Sequence, residues 1–367
     1  MNPLIELQAY GQSFWYDNIR RKFLRDGTIQ SLIDDDGLRG MTSNPSIFEK
    51  AIGGSDDYDE QMRALVTQGA DASAIYEALA LADIQAACDL FAEVYDESGG
   101  GDGFVSLEVS PHLARDTEAT VAEARRLFAV VGRPNVMIKV PATPEGVPAI
   151  RQLISEGINV NITLMFSMNH YEAVAQAYVD GLTQLLENGG NPEKVASVAS
   201  FFVSRVDTAV DKKLAALDDP AAEALMGKVA VANSKIVYQR FKEIFHGDVF
   251  AQLQAAGAGR QRLLWASTST KNRNYPDTLY IDELIGPETV NTMPPETIEA
   301  FRDHGRVDNT LEQGIEEARL LLDNLAELQI DLDEITEQLQ ADGVEAFANS
   351  FDGLMQTIAE KKARLAP

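Results

Sequence analysis

The chain has 367 residues, 45% hydrophobic and 24% charged, a balance that suits a globular protein with a large core and excludes a disordered one. Its 57 acidic against 31 basic residues give a formal net charge of −26, which repels nucleic acid and anionic membrane surfaces and sets both aside as partners. The length fits one large α/β domain.

The N-terminal MNPLIELQAYGQ has no basic head before an apolar run, and no stretch of about eighteen apolar residues occurs in the chain. Neither an export signal nor a membrane span is expected, and the location expected is the cytoplasm. Eight short apolar or alternating runs then follow one another, each trailed by a helical pattern: QSFWYD (12–17), GLRGMTSN (37–44), GFVSLEV (103–109), NVMIKV (135–140), GINVNITLMF (157–166), KVASVASFFV (194–203), RLLWAST (262–268) and TLYIDEL (278–284). Strand-then-helix order repeated eight times predicts an α/β fold, a single (β/α)8 TIM barrel spanning residues 1–367. In DTEATVAEARRLFAVVG, Asp116 is the expected N-cap and Gly132 the expected stop.

Two stretches exceed a minimal barrel. After the second strand, residues 54–100 read as two extra helices ending in SGGGDG, and residues 294–366 read as C-terminal helices with Leu320, Leu321, Leu325 and Leu328 on one face. Both are expected to decorate one domain. The single cysteine, Cys88, falls in a helical pattern and is expected to be a small buried hydrophobe. The Asn161-Ile-Thr163 triplet matches a glycosylation acceptor, but it sits inside an apolar strand and is discounted.

Strand parity locates the chemistry. In GINVNITL, Ile158, Val160, Ile162 and Leu164 share one face, and Asn159, Asn161 and Thr163 share the other, so the polar face is expected to line the barrel. By the same parity Met137 and Lys139 share a face, as do Ser106 and Glu108, so Lys139 and Glu108 are expected to meet in the lumen. An amine between Ile138 and Val140 in apolar surroundings has its charged form disfavoured, which favours the neutral, nucleophilic amine of Schiff-base enzymes. Each candidate has a plainer reading: Lys139 as a solvated edge lysine, Glu108 as its structural partner, Asp17 as a helix cap, Asn44 before Pro45 as a helix-entry turn, and Ser200 and Ser267 as small residues in a tapering barrel.

His112, His170, His246 and His304 are scattered without metal-ligand spacing, and GxSxG, P-loop and GxGxxG sequences do not occur. Metal hydrolysis, serine hydrolysis and dinucleotide redox chemistry are therefore not expected. A lysine nucleophile with carboxylate partners remains.

The motifs MTSNPSIF (41–48), SLEVSPHLARDTEATVAEARRL (106–127), IKVPAT (138–143), GINVNITLMFS (157–167) and FFVSRVD (201–207) together resemble the transaldolase family. WASTSTKN (265–272) with TVNTMP (289–294) is similar to its longer bacterial branch. The resemblance implies a cofactor-independent transfer of a dihydroxyacetone unit between sugar phosphates through a lysine imine on the fourth strand. Carried over to this chain, it implies that Lys139 forms the imine, Asp17 exchanges the C4-hydroxyl proton, and Glu108 and Thr163 hold a proton-shuttling water. It further implies that Asn44, Asn161 and Ser200 bind substrate hydroxyls, and that Arg205 grips the phosphate. Where the short branch has a serine-aromatic-arginine sequence for its second phosphate ligand, this chain reads Ser267-Thr-Ser-Thr-Lys271; Lys271 is the candidate and Arg273 its rival. The expected partners are small sugar phosphates, and the expected assembly is a monomer or a homodimer. The alternatives are a fructose 6-phosphate aldolase-like lyase and a non-catalytic sugar-phosphate-binding protein.

Overall fold

The computed structural model describes residues 2–366. Eight parallel strands close a barrel in sequence order: β1 (Gln12–Asp17), β2 (Gly40–Thr42), β3 (Phe104–Glu108), β4 (Val136–Pro141), β5 (Val160–Met165), β6 (Ser197–Phe202), β7 (Arg262–Ala266) and β8 (Thr289–Met293). The fold is a (β/α)8 TIM barrel, and seven of the eight expected runs contain its strands. The eighth does not. Residues 278–284 form a short helix, Leu279–Asp282, and β8 is supplied by TVNTM, which is buried at all five positions. A barrel strand enclosed on both faces keeps polar residues on its lumen side, so TVNTM lacks the apolar alternation by which strands are recognised.

Cross-strand register sets the interior. Glu108 pairs with Lys139, Lys139 with Asn161, and Pro141 with Thr163, so the polar faces of β3, β4 and β5 fall side by side as the parity predicts. The β5–β6 register shifts between Ile162 and Met165, where Leu164 takes a φ of 60°. Deeper in the barrel, Trp15 is fully buried and donates from Nε1 to Asp102 Oδ1 at 2.9 Å. Gly40 lies flat against this indole: a Cβ there would come within 2.6 Å of the ring.

Over residues 54–100 the chain forms three helices where two were expected: Asp59–Thr67, Ala72–Leu90 and the short Ala92–Glu97, with Phe91 separating the last two. The second of these is tied to the helix that follows β1, Arg21–Arg25, by a buried ion pair, Arg21 Nε to Asp83 Oδ1 at 2.7 Å. Cys88 is buried, and burial pushes its thiol up to about 12. Asp116 and Gly132 cap Thr117–Val131 as predicted.

After β8 come helices Pro295–His304, Ile315–Glu327 and Leu332–Leu365. In the second, Leu325 is buried and Leu321 and Leu328 pack on the core, but Leu320 is 60% exposed. The step from 320 to 321 is about 100° of helix, enough to turn Leu320 to solvent. The long last helix reaches the carboxyl ends of the strands. Gln340 donates to the Ala142 and Leu164 carbonyls, both at 3.0 Å, and Lys361 donates to the Ile52 carbonyl at 3.0 Å and pairs with Asp59 at 2.7 Å. No described helix is long and apolar enough to cross a membrane.

Gly40→Ala should lower stability by about 1–3 kcal/mol, the usual consequence of overpacking a filled core. Denaturant unfolding followed by tryptophan fluorescence reads this directly, and an unchanged midpoint would contradict the Trp15 packing.

Candidate active site

The carboxyl ends of the strands open into a cleft of about 720 Å³ lined by Asp17, Asn44, Lys139, Thr163, Ser200, Arg205, Ser267 and Lys271. At its base Lys139 is only 6% exposed. Its Nζ lies 3.4 Å from Glu108 Oε2 and 3.3 Å from the Ser43 carbonyl, with the Phe347 ring 5.6 Å away. The surroundings are therefore mixed, with an aromatic face on one side and polar acceptors on the other. A flexible four-carbon stem held between β3 and β5 places the amine where a carbonyl carbon in the cleft can be attacked.

Asp17 stands at the end of β1, and its Oδ1 accepts from Thr42 Oγ1 at 2.7 Å. It caps nothing: the following helix, Arg21–Arg25, has no side-chain cap. Burial pushes the Asp17 carboxyl above its ordinary range, while the nearby Lys139 ammonium and the Thr42 hydroxyl draw it back. Glu108 is likewise raised by burial and drawn down by Lys139. Two partly buried carboxyls beside one amine form a cluster whose protonation states are coupled.

Asn161 is fully buried and held from both sides. Its Nδ2 donates to Ser106 Oγ at 2.9 Å, and its Oδ1 accepts from Ser200 Oγ at 2.7 Å. Glu108 and Asn161 stand behind the cleft wall, so each reaches the cleft through a neighbour. Thr163 is buried with no protein partner for its hydroxyl. Asn44 does cap a helix, its Oδ1 accepting from Ile47 N at 3.0 Å at the start of Pro45–Gly53, which leaves its amide NH2 for the cleft.

The cationic end lies across the mouth. Arg205 makes no hydrogen bond or ion pair to the described residues and stacks 5.1 Å from the Phe202 ring, which leaves the whole donor fork for an oxyanion. Lys271 is exposed, also lines the cleft and donates to Ser269 Oγ. Arg273 lies outside the cleft lining. Ser267 holds a φ of 55° and sits 3.0 Å from Ser204 Oγ, a strained backbone of the kind that clusters at binding sites.

Thr42, Thr292, Phe347 and Glu296 line the same cleft and were not singled out from the sequence. Thr42 and Thr292 fall within the motifs MTSNPSIF and TVNTMP, but Phe347 lies on a distant helix with no local signal. Among the described residues no group of three or more His, Cys, Asp or Glu could hold a metal.

The profile of a family described as "Transaldolase/Fructose-6-phosphate aldolase" matches residues 14–358. The chain belongs to this family. It is 47% identical over its whole length to a protein named "Transaldolase" from Trichodesmium erythraeum, covering 99% of that protein. It is 49% identical to one of the same name from Parafrankia, with 98% of each chain covered, and 47% identical to one from Thiobacillus denitrificans, covering 98% of this chain and all of the relative.

The raised carboxyl of Asp17 has a consequence for stability. In the unfolded chain it ionises near its ordinary value of 3.8, so the native state holds its proton to higher pH, and stability falls as pH rises from there through the native value. Asp17→Asn should therefore unfold at higher denaturant than the wild type at pH 7, with the gap closing below about pH 4, where the carboxyl is neutral in both states. A gap independent of pH would contradict the burial of an ionised Asp17.

Proposed function

We propose that this chain is a transaldolase, moving a dihydroxyacetone unit from a ketose phosphate to an aldose phosphate through an imine on Lys139. The family membership and the full-length similarity to proteins named transaldolase support the activity. The observation that carries the residue assignment is one amine held in register between Glu108 and Asn161, with Asp17 in the same lumen.

The neutral Lys139 amine attacks the C2 carbonyl of fructose 6-phosphate or sedoheptulose 7-phosphate. The carbinolamine loses water to a protonated imine, with Glu108 and Thr163 relaying protons through a water. Asp17 then takes the C4-hydroxyl proton, the C3–C4 bond breaks, and the aldehyde leaves. The electron pair left on C3 is delocalised into the imine, so the protein supplies the electron sink itself. Erythrose 4-phosphate or glyceraldehyde 3-phosphate adds in reverse, Asp17 returns the proton, and hydrolysis frees the lysine. Asn44 and Ser200 bind hydroxyls of the three-carbon unit, and Asn161 acts on it through Ser200, whose hydroxyl it accepts. Arg205 and Lys271 bind the phosphate, with Ser267 beside them; Lys271 is preferred over Arg273 because it shares the cleft with Arg205.

On this reading the protein acts in the non-oxidative exchange of pentose, hexose and heptose phosphates, as a cytoplasmic monomer or homodimer. The test is a coupled assay with fructose 6-phosphate, with and without erythrose 4-phosphate. Glyceraldehyde 3-phosphate formation that requires the acceptor supports transfer; equal formation without it would make the protein an aldolase.

Arg205→Ala should raise KM for fructose 6-phosphate by about ten- to a hundred-fold, from the loss of a charge-assisted bond worth roughly 1.5–3 kcal/mol. Lys271→Ala should raise KM in the same direction and Arg273→Ala much less. If Arg273→Ala proves the more damaging, the second phosphate ligand is assigned to the wrong cation.

A further inference from the structure

A second cavity, of about 200 Å³, lies on the other side of the wall that carries Lys139. Both acceptors of the Lys139 amine, Glu108 and the Ser43 carbonyl, belong to residues that line this second cavity, whereas Lys139 itself lines the substrate cleft. Asn44 lines both. From Glu108 the cavity runs past Tyr76 and Ala80 to Ser73, Glu77 and Glu123. Ser73 is exposed, and the Glu77 and Glu123 side chains are 38% and 26% exposed. The inner end is thus a carboxyl within reach of the amine, and the outer end is solvent.

Imine formation gives such a passage a use. A sugar phosphate reaching from Lys139 to Arg205 and Lys271 lies across the front of the site, and Phe347 covers the amine from the C-terminal helix. Yet each imine formed releases one water beneath that sugar, and each imine hydrolysed consumes one.

We propose that the second cavity is the route by which this water leaves and enters, with Glu108 exchanging the proton at its inner end. The inference rests on the imine mechanism given above. In the step that releases water, the C2–O bond of the carbinolamine breaks and the nitrogen lone pair closes the C2=N bond. The departing hydroxide takes a proton relayed from the Glu108 carboxyl through the intervening water, so that one neutral carbinolamine and one neutral acid give one iminium, one carboxylate and one further water. Hydrolysis runs the same balance backwards. Burial raises the Glu108 carboxyl, which favours the protonated form that the step consumes.

The test follows the oxygen. Fructose 6-phosphate labelled with ¹⁸O at C2 is converted with erythrose 4-phosphate in unlabelled water in a single turnover, with correction for non-enzymatic exchange, while adduct formation is timed by borohydride quenching. The wild type should give sedoheptulose 7-phosphate whose C2 oxygen has the composition of bulk water. Ala80→Leu narrows the cavity from its buried wall, and Ser73→Trp blocks its outer end from an exposed position that carries little risk to folding. Each should retain part of the label in the product and slow adduct formation, towards the roughly 10²-fold that loss of a general acid or base costs. Retention of label by the wild type would overturn the proposal. So would full washout at an unchanged adduct rate in Ser73→Trp or in folded Ala80→Leu. Absence of any adduct in the wild type would instead refute the imine mechanism, so the two failures are told apart.

Discussion

An amine buried between two carboxyls is the arrangement on which the rest of the structure depends. Lys139 pairs with Glu108, and Asp17 stands close enough for its charge to be felt, all three largely withdrawn from water. Burial of several ionisable groups together is expensive unless each finds a partner. The barrel supplies the partners through register, because strands β3, β4 and β5 fix Glu108, Lys139 and Asn161 as direct neighbours. Chemistry and cost have one origin: the groups that destabilise the neutral-pH fold are those proposed to pass protons to a bound sugar.

The elements outside the barrel hold the two ends of the cleft in place. Gln340 on the last helix binds main-chain carbonyls beside β4 and β5, and the same helix lowers Phe347 onto Lys139. The loop that carries Lys271 is pinned to the helix that carries Arg205 (Ser204–Leu214) by two phenols, Tyr275 to Asp211 at 2.7 Å and Tyr280 to Asp207 at 2.9 Å. Burial raises the Asp207 carboxyl to about 6 even though it accepts from the Tyr280 hydroxyl and from Ala230 N. The two cations are therefore presented as a pair by a rigid frame. In a chain with a net charge of −26, such a local positive pair suits an anionic ligand.

Much of this was legible in the sequence, for identifiable reasons. Strand parity has a period of two, so a polar face on β5 and a lysine on β4 could be placed in the lumen with no knowledge of the fold. Caps such as Asp116 and Gly132 are local and read correctly. The eighth strand was misplaced because TVNTM is enclosed on both faces, while TLYIDEL, which looked like a strand, is a helical turn whose tyrosine serves Asp207. Leu320 was assigned to a buried face that a helix of 3.6 residues per turn cannot extend so far. Phe347 and the second cavity were invisible, since both arise from contacts between segments more than two hundred residues apart or from space between helices. The dual character of Asn44, at once a helix cap and a cleft residue, shows that a structural role does not preclude a second one when the side chain has atoms to spare.

The proposed chemistry depends above all on which amine forms the imine. Borohydride reduction in the presence of fructose 6-phosphate, followed by peptide mass mapping, measures this directly. One three-carbon adduct per chain at Lys139 is expected, with none in Lys139→Arg, whose guanidinium remains charged at neutral pH. An adduct on any other lysine, or turnover by the arginine variant, would contradict it.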